Sequence, residues 1–175
     1  LTLAFEVLGN AALTAETRVK LVCELAAAAG PAGMIAGQVL DIESEGRAGS
    51  DIGEVLKIHQ HKTAKLIVAA VRMGAIAGDA GDGLLEKLTA WAQKAGLAFQ
   101  VADDVLDATG TPEELGKSVG KDEADNKLTA VAVLGVEGAG KLAEKLAAEA
   151  NEALDGLEKA WVFRGLADLF AKRHN

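Results

Sequence analysis

At 175 residues the chain holds one domain's worth of sequence, and with half of its residues apolar it can bury a substantial core. A net charge of −8 and an aromatic content of 3% exclude a basic, base-stacking nucleic-acid platform and attraction to an anionic membrane surface. Tyrosine is absent, proline occurs twice, and Ala, Leu, Glu and Lys abound, which favours helix over strand and predicts an all-α fold.

Apolar spacing from Leu1 to Leu8, with no initiator Met, predicts a helix over about 1–9 and a chain that opens inside a helix, its upstream sequence lost. Thr14 suits an N-cap, so the next helix is expected over about 14–29, broken by Gly30-Pro31. A third is expected over about 34–43, then a polar loop to Ser50, with Asp51 placed to cap a helix over about 52–76. The loop around Gly78–Gly83 separates this from a helix over about 84–108. A long loop follows, then a helix over about 127–157 interrupted at Gly135, Gly138 or Gly140, and a last one over about 162–173. No repeat, linker or low-complexity tract divides the chain, so residues 1–175 read as a single helical domain. Cys23 stands alone and cannot form an internal disulfide; no leader pattern or integral membrane segment is recognised, so the cytoplasm is the expected compartment.

The segment Phe99-Gln100-Val101-Ala102-Asp103-Asp104-Val105-Leu106-Asp107 sets three carboxylates in an apolar stretch. On a helix Asp103 and Asp107 project from one face, where they repel each other unless a cation lies between them. Their place near a helix C-terminus, where the dipole disfavours carboxylates, strengthens the case. Hard oxygen ligands suit Mg²⁺, which keeps waters and substrate phosphates as its other ligands, so the cluster reads as half of a metal–diphosphate site. The plainer reading is a solvated acidic rim. Against it, Gln100 shares the face of Asp103 and Asp107 while Val101, Ala102, Val105 and Leu106 cover the others, so the cluster lines a pocket for which Phe99 can form an apolar wall.

Downstream, Gly116-Lys117-Ser118-Val119-Gly120-Lys121-Asp122 and Asp125-Asn126-Lys127 supply lysines that suit phosphate as point charges, although Gly/Lys loops are also common on surfaces. In His59-Gln60-His61-Lys62-Thr63-Ala64 the two histidines point roughly 200° apart on a helix and cannot readily share one ion. They are expected to be solvated or hydrogen-bonded, with Lys62 either functional or a snorkelling surface lysine. Gly37-Gln38 with Asp41 is open between a packing contact and a pocket edge. No Walker loop, dinucleotide fingerprint, zinc set or nucleophilic Ser or Cys arrangement is present.

Together, residues 33–46, the His59–Ala64 run, the aspartate motif and the lysines from Lys117 to Lys127 resemble the second half of a trans-polyprenyl diphosphate synthase. The resemblance covers nearly the whole chain and is nearest to bacterial and plastid-type farnesyl and geranylgeranyl diphosphate synthases. It implies an all-α isoprenoid-synthase bundle, incomplete at its N-terminus, that joins isopentenyl diphosphate to an allylic diphosphate by Mg²⁺-assisted ionisation, condensation and proton loss. Asp103 and Asp107 would be metal ligands, with Asp104 and Asp122 contributing. Lys62, Lys117 and Lys127 would grip diphosphate, Thr63 and Gln100 would stabilise the allylic cation, and Phe99 would border the prenyl chain. A homodimer is implied, formed through the apolar helix pair over 1–29. The family's first aspartate-rich motif and its isopentenyl diphosphate-binding basic residues would precede Leu1, so this chain alone is expected to be inactive and, with apolar faces exposed, poorly soluble or associated. Lys65 departs from the small or apolar residue usual there. The alternatives are a noncatalytic partner subunit of a prenyl synthase heteromer and, against the Asp103 motif, a terpene cyclase.

Overall fold

The computed structural model of the chain describes residues 1–46, 51–110 and 127–172. Among these, every regular element is helical: α1 Thr2–Asn10, α2 Ala15–Ala29, α3 Met34–Ser44, α4 Ile52–His59, α5 Lys65–Ala77, α6 Asp82–Thr109, α7 Ala130–Ala153 and α8 Trp161–Ala171. The expected caps form, since Thr14 accepts a hydrogen bond from the Thr17 amide and Asp51 one from the Glu54 amide, each at 3.1 Å. Gly30-Pro31 separates α2 from α3, where the chain doubles back so tightly that a Cβ on Gly33 would lie 1.9 Å from the Ala28 carbonyl oxygen.

The core lies between α6 and α7, which share the most extensive contact in the bundle. Ala92, Ala95, Ala98 and Ala102 on α6, with Ala139, Ala143, Ala147 and Ala150 on α7, are all buried. Their spacing of three or four places them on facing stripes, and their small side chains let the two helices approach closely without losing rotamer freedom. Trp91 fills the centre and meets Phe163 edge-on at 4.9 Å, while Phe99 meets Phe170 at 5.2 Å, so two aromatic contacts fasten α8 to α6.

The structure departs from the expected continuous helix over 52–76. Between α4 and α5 the residues Gln60–Ala64 form a π-helical turn, one extra residue that re-aims the side chains following it. Two glycines clamp this turn. A Cβ on Gly37 of α3 would lie 2.2 Å from the Lys62 amide nitrogen, and one on Gly96 of α6 would lie 2.9 Å from Ala64 Cα. The expected helix over 127–157 is shorter, ending at Ala153, and of its three candidate interruptions Gly135 is the kink, at φ +71°. Exposed Leu3 and Val7 on α1, Val19 on α2 and Ile35, Val39 and Ile42 on α3 give the apolar outer faces anticipated for a partial bundle. The run Ala15–Ser44 is long and apolar enough by composition to cross a membrane. It is broken between its two helices, however, and both pack on the bundle.

Candidate active site

The π turn, α3 and α6 converge on one cleft. Lys62 Nζ donates to Asp41 Oδ2 at 2.6 Å, which answers the open question of Gly37 and Asp41: the glycine is the packing contact and the aspartate the pocket edge. Next to it, Thr63 Oγ1 donates to Gln100 Oε1 at 2.7 Å, and Gln100 Nε2 reaches Asp103 Oδ2 at 3.3 Å. The Gln100 amide therefore has a defined orientation, oxygen toward the threonine and nitrogen toward the aspartate. Residues 37 apart in sequence are thereby linked to the aspartate motif in a continuous line.

Asp103 and Asp107 are both half-buried, one helical turn apart on α6. Asp104 is placed differently from the ligand role expected of it. Its side chain is buried, Oδ2 accepts the Ala130 amide at 2.7 Å, and His59 Nε2 lies 3.3 Å away. One residue around the helix from Asp103, it is rotated by about 100° and meets the start of α7 and the end of α4, where it lines a small cavity together with Lys62 and Gln100. A carboxylate at that helix N-terminus satisfies an orphan amide and opposes the dipole's positive end. His59 is thus engaged with a carboxylate, and among the described residues no three His, Cys, Asp or Glu side chains gather as a cage for a metal.

Phe99 packs its ring edge-on against Phe170 in the α6–α8 seam. Lys127, with Asp41, His59, Lys62, Gln100, Asp104, Leu128 and Thr129, lines a cavity of about 40 Å³. The structure thus brings Lys62, Gln100 and Lys127 together as anticipated. Lys117 and Asp122 lie outside the described residues.

Behind the π turn, a larger cavity of about 360 Å³ is lined by Ala28, Gln60, Ala64, Lys65, Val68 and Arg72 among others. Here Arg72 makes a two-pronged pair with Glu24 at 2.8 and 2.6 Å and donates to Thr89 at 3.0 Å. The Glu24 hydrogen bonds hold the guanidinium's pKa above its ordinary value, against partial burial. No local pattern announces a pair 48 residues apart, and sequence reasoning missed it. Lys65, the unusual residue, donates to the Ala32 carbonyl at 2.5 Å and braces the α2–α3 break.

The oxygen donors suit Mg²⁺. Asp103 and Asp107 offer two carboxylates, and that ion is commonly held by one or two carboxylates with the remainder from water and substrate phosphate. The lack of a complete protein cage is therefore no obstacle.

An all-helical bundle with this aspartate motif beside a lysine–threonine pair has counterparts among known proteins. Residues 1–161 match the Polyprenyl synthetase family, to which the chain belongs. Geranylgeranyl pyrophosphate synthase 7, chloroplastic, of Arabidopsis thaliana is 44% identical over 180 residues, covering 100% of this chain and 52% of the relative. A geranyltransferase of Helicobacter pylori, solved with magnesium and isoprenyl diphosphate, superposes with a TM-score of 0.83 at 37% identity, over 97% of this chain and 55% of that one. The geranylgeranyl pyrophosphate synthetase of Pyrococcus horikoshii shares the fold, with a TM-score of 0.85 at 24% identity over 99% of this chain and 64% of its own. The chain thus spans about half the length of the curated relatives it matches.

Proposed function

We propose that this chain supplies the second half of the active site of a Mg²⁺-dependent prenyltransferase. The enzyme would join isopentenyl diphosphate to an allylic diphosphate to give farnesyl or geranylgeranyl diphosphate. The observation that carries the reading is the Thr63–Gln100–Asp103 line beside Lys62, which joins a metal-binding carboxylate to the polar groups a cationic transition state needs.

Asp103 and Asp107 would hold the ion, with Asp122 a further contributor from the following segment. When bound, Mg²⁺ offsets the negative charge that grows on a departing diphosphate. Lys62 is kept in place by Asp41, so its ammonium needs little reorganisation to meet a phosphate oxygen. Lys127 lines the same small cavity from the segment just before α7, and Lys117 would add a third cation. Thr63 and Gln100 present fixed oxygen dipoles to the positive charge developing on the allylic carbon, and their mutual hydrogen bond keeps both from turning away. The pairing also orders the chemistry: cations grip one end of the allylic substrate while neutral dipoles face the other.

Two copies would mate through the apolar outer faces of α1 and α2. Exposed Cys23 on α2, without a disulfide partner, suits a reducing compartment such as the cytoplasm or a plastid interior. The activity belongs to the intact protein; residues 1–175 alone are expected to be inactive. The test is condensation of labelled isopentenyl diphosphate with an allylic diphosphate by the intact protein. Asp103→Ala is expected to reduce the rate by about a hundredfold or more. A rate within a few-fold of the parent would refute the assignment.

A further inference from the structure

The reading above leaves a buried titratable pair without a task. His59 and Asp104 are both about 5% exposed in their side chains and lie 3.3 Å apart, at the wall of the small polar cavity that Lys62 and Lys127 also line. A buried charge or dipole is costly unless it is answered; Asp104 answers His59 Nε2, while His59 Nδ1 is buried with no hydrogen-bond partner among the described residues. Asp104 Oδ2 also takes the first amide of α7, from Ala130, at 2.7 Å. One carboxylate oxygen therefore ties together the end of α4, the C-terminal part of α6 and the start of α7.

The positions of these three points matter more than their energies. Lys62 follows His59 by one turn of backbone, and Lys127 precedes Ala130 by three residues. Both lysines line the cavity of about 40 Å³ that His59 and Asp104 also line. The separation of the two cations across the cleft is set by whatever fixes the π turn relative to the α7 N-terminus. Gly37 and Gly96 fix the turn from its sides, through close backbone approach. His59 with Asp104 fixes it toward α7.

Building on the proposed function, we infer that His59 and Asp104 are a positioning pair for the condensation. They span the cleft so that Lys62 and Lys127 meet one diphosphate together. Asp104 acts through His59 and α7, and not as a ligand to the metal, even though it stands inside the aspartate motif.

The experiment compares Asp104→Asn, His59→Gln, His59→Leu and the reference Asp103→Asn in the intact protein, measuring kcat, KM for the allylic diphosphate and the Mg²⁺ concentration for half-maximal rate. Gln can place an amide nitrogen near the position of His Nε2, whereas Leu cannot. Asp104→Asn and His59→Leu are expected to lower kcat by about tenfold to a hundredfold, the range for an ångström-scale misplacement, with half-saturating Mg²⁺ within twofold of the parent. His59→Gln is expected to recover most of the lost kcat, which a mere packing role for the ring would not produce. Asp103→Asn is expected to raise the Mg²⁺ requirement. The inference is overturned if Asp104→Asn raises the Mg²⁺ requirement as Asp103→Asn does, if both Asp104→Asn and His59→Leu keep parental kcat, or if Gln rescues no better than Leu. Should Asp104→Asn fail to fold, the two His59 variants decide alone. A parent without condensation activity would bring down the reading of the site and this inference with it, while an active parent with unaffected variants would overturn this inference only.

Discussion

Replacing Gly37 with alanine isolates the contribution of the π turn. The added Cβ would sit 2.2 Å from the Lys62 amide nitrogen, 2.4 Å from its Cα and 2.7 Å from the His61 carbonyl carbon. All three are backbone atoms, so no side chain can swing aside; either α3 or the π turn must move by about an ångström to restore van der Waals contact. Overpacking of this kind costs about 1–3 kcal/mol, against which alanine's better helix propensity returns about 1 kcal/mol. The net expectation is a loss of up to about 2 kcal/mol in denaturant unfolding. The rate should suffer more than the stability, because Lys62 and Thr63 ride on the displaced turn, and an ångström of misplacement costs about a hundredfold. The control is Gly74→Ala, inside α5 with nothing within 4 Å, which should gain up to about 1 kcal/mol and leave turnover unchanged. A Gly37→Ala protein as stable and as active as the parent would refute the idea that close approach at this glycine positions the catalytic turn.

Two further outcomes follow from pairs remote from the cleft. Glu24→Gln removes the charge and one of the two acceptor oxygens that face the half-buried Arg72 guanidinium and should cost about 1–2 kcal/mol in urea unfolding, against a negligible cost if the pair is only surface decoration. Glu149 has its pKa lowered, chiefly by the hydrogen bond from Lys94, so its contribution is present above the ordinary carboxylate value of 4.5 and is lost as pH falls through the lowered folded value. Lys94→Met should therefore unfold slightly more easily than the parent near neutral pH, by under about 1 kcal/mol because the pair is solvent-screened, and the difference should close in acid. A difference that widened on acidification would have the wrong sign.

The elements whose cause is local were legible in the chain. Thr14 and Asp51 sit where a helix needs an acceptor, and Gly30-Pro31 interrupts a helix whatever surrounds it, so those boundaries could be read without a structure. Asp103 and Asp107 were legible because helical spacing alone puts them on one face. The features that were not legible depend on approach between distant segments. The π turn follows a hydrophobic pattern that an ordinary helix would also satisfy, and it is defined against Gly37 and Gly96, neither of which announces its neighbour. Asp104 looked like its two companions because a motif records residue type and not direction; only the position of Ala130 reveals its occupation. Phe99, adjacent to Gln100 in sequence, lies about a third of a turn away on α6, and its contact with Phe170 of α8 joins segments that no local pattern relates.

The central claim is that Asp103 and Asp107, with the lysines around them, bind a metal-bridged diphosphate. Calorimetric titration of the intact protein with an unreactive allylic diphosphate analogue, with and without Mg²⁺, addresses it directly. Saturable binding that requires Mg²⁺ and is abolished by Asp103→Ala is the expected result. Binding of equal strength in EDTA, or unchanged by the substitution, would contradict the account.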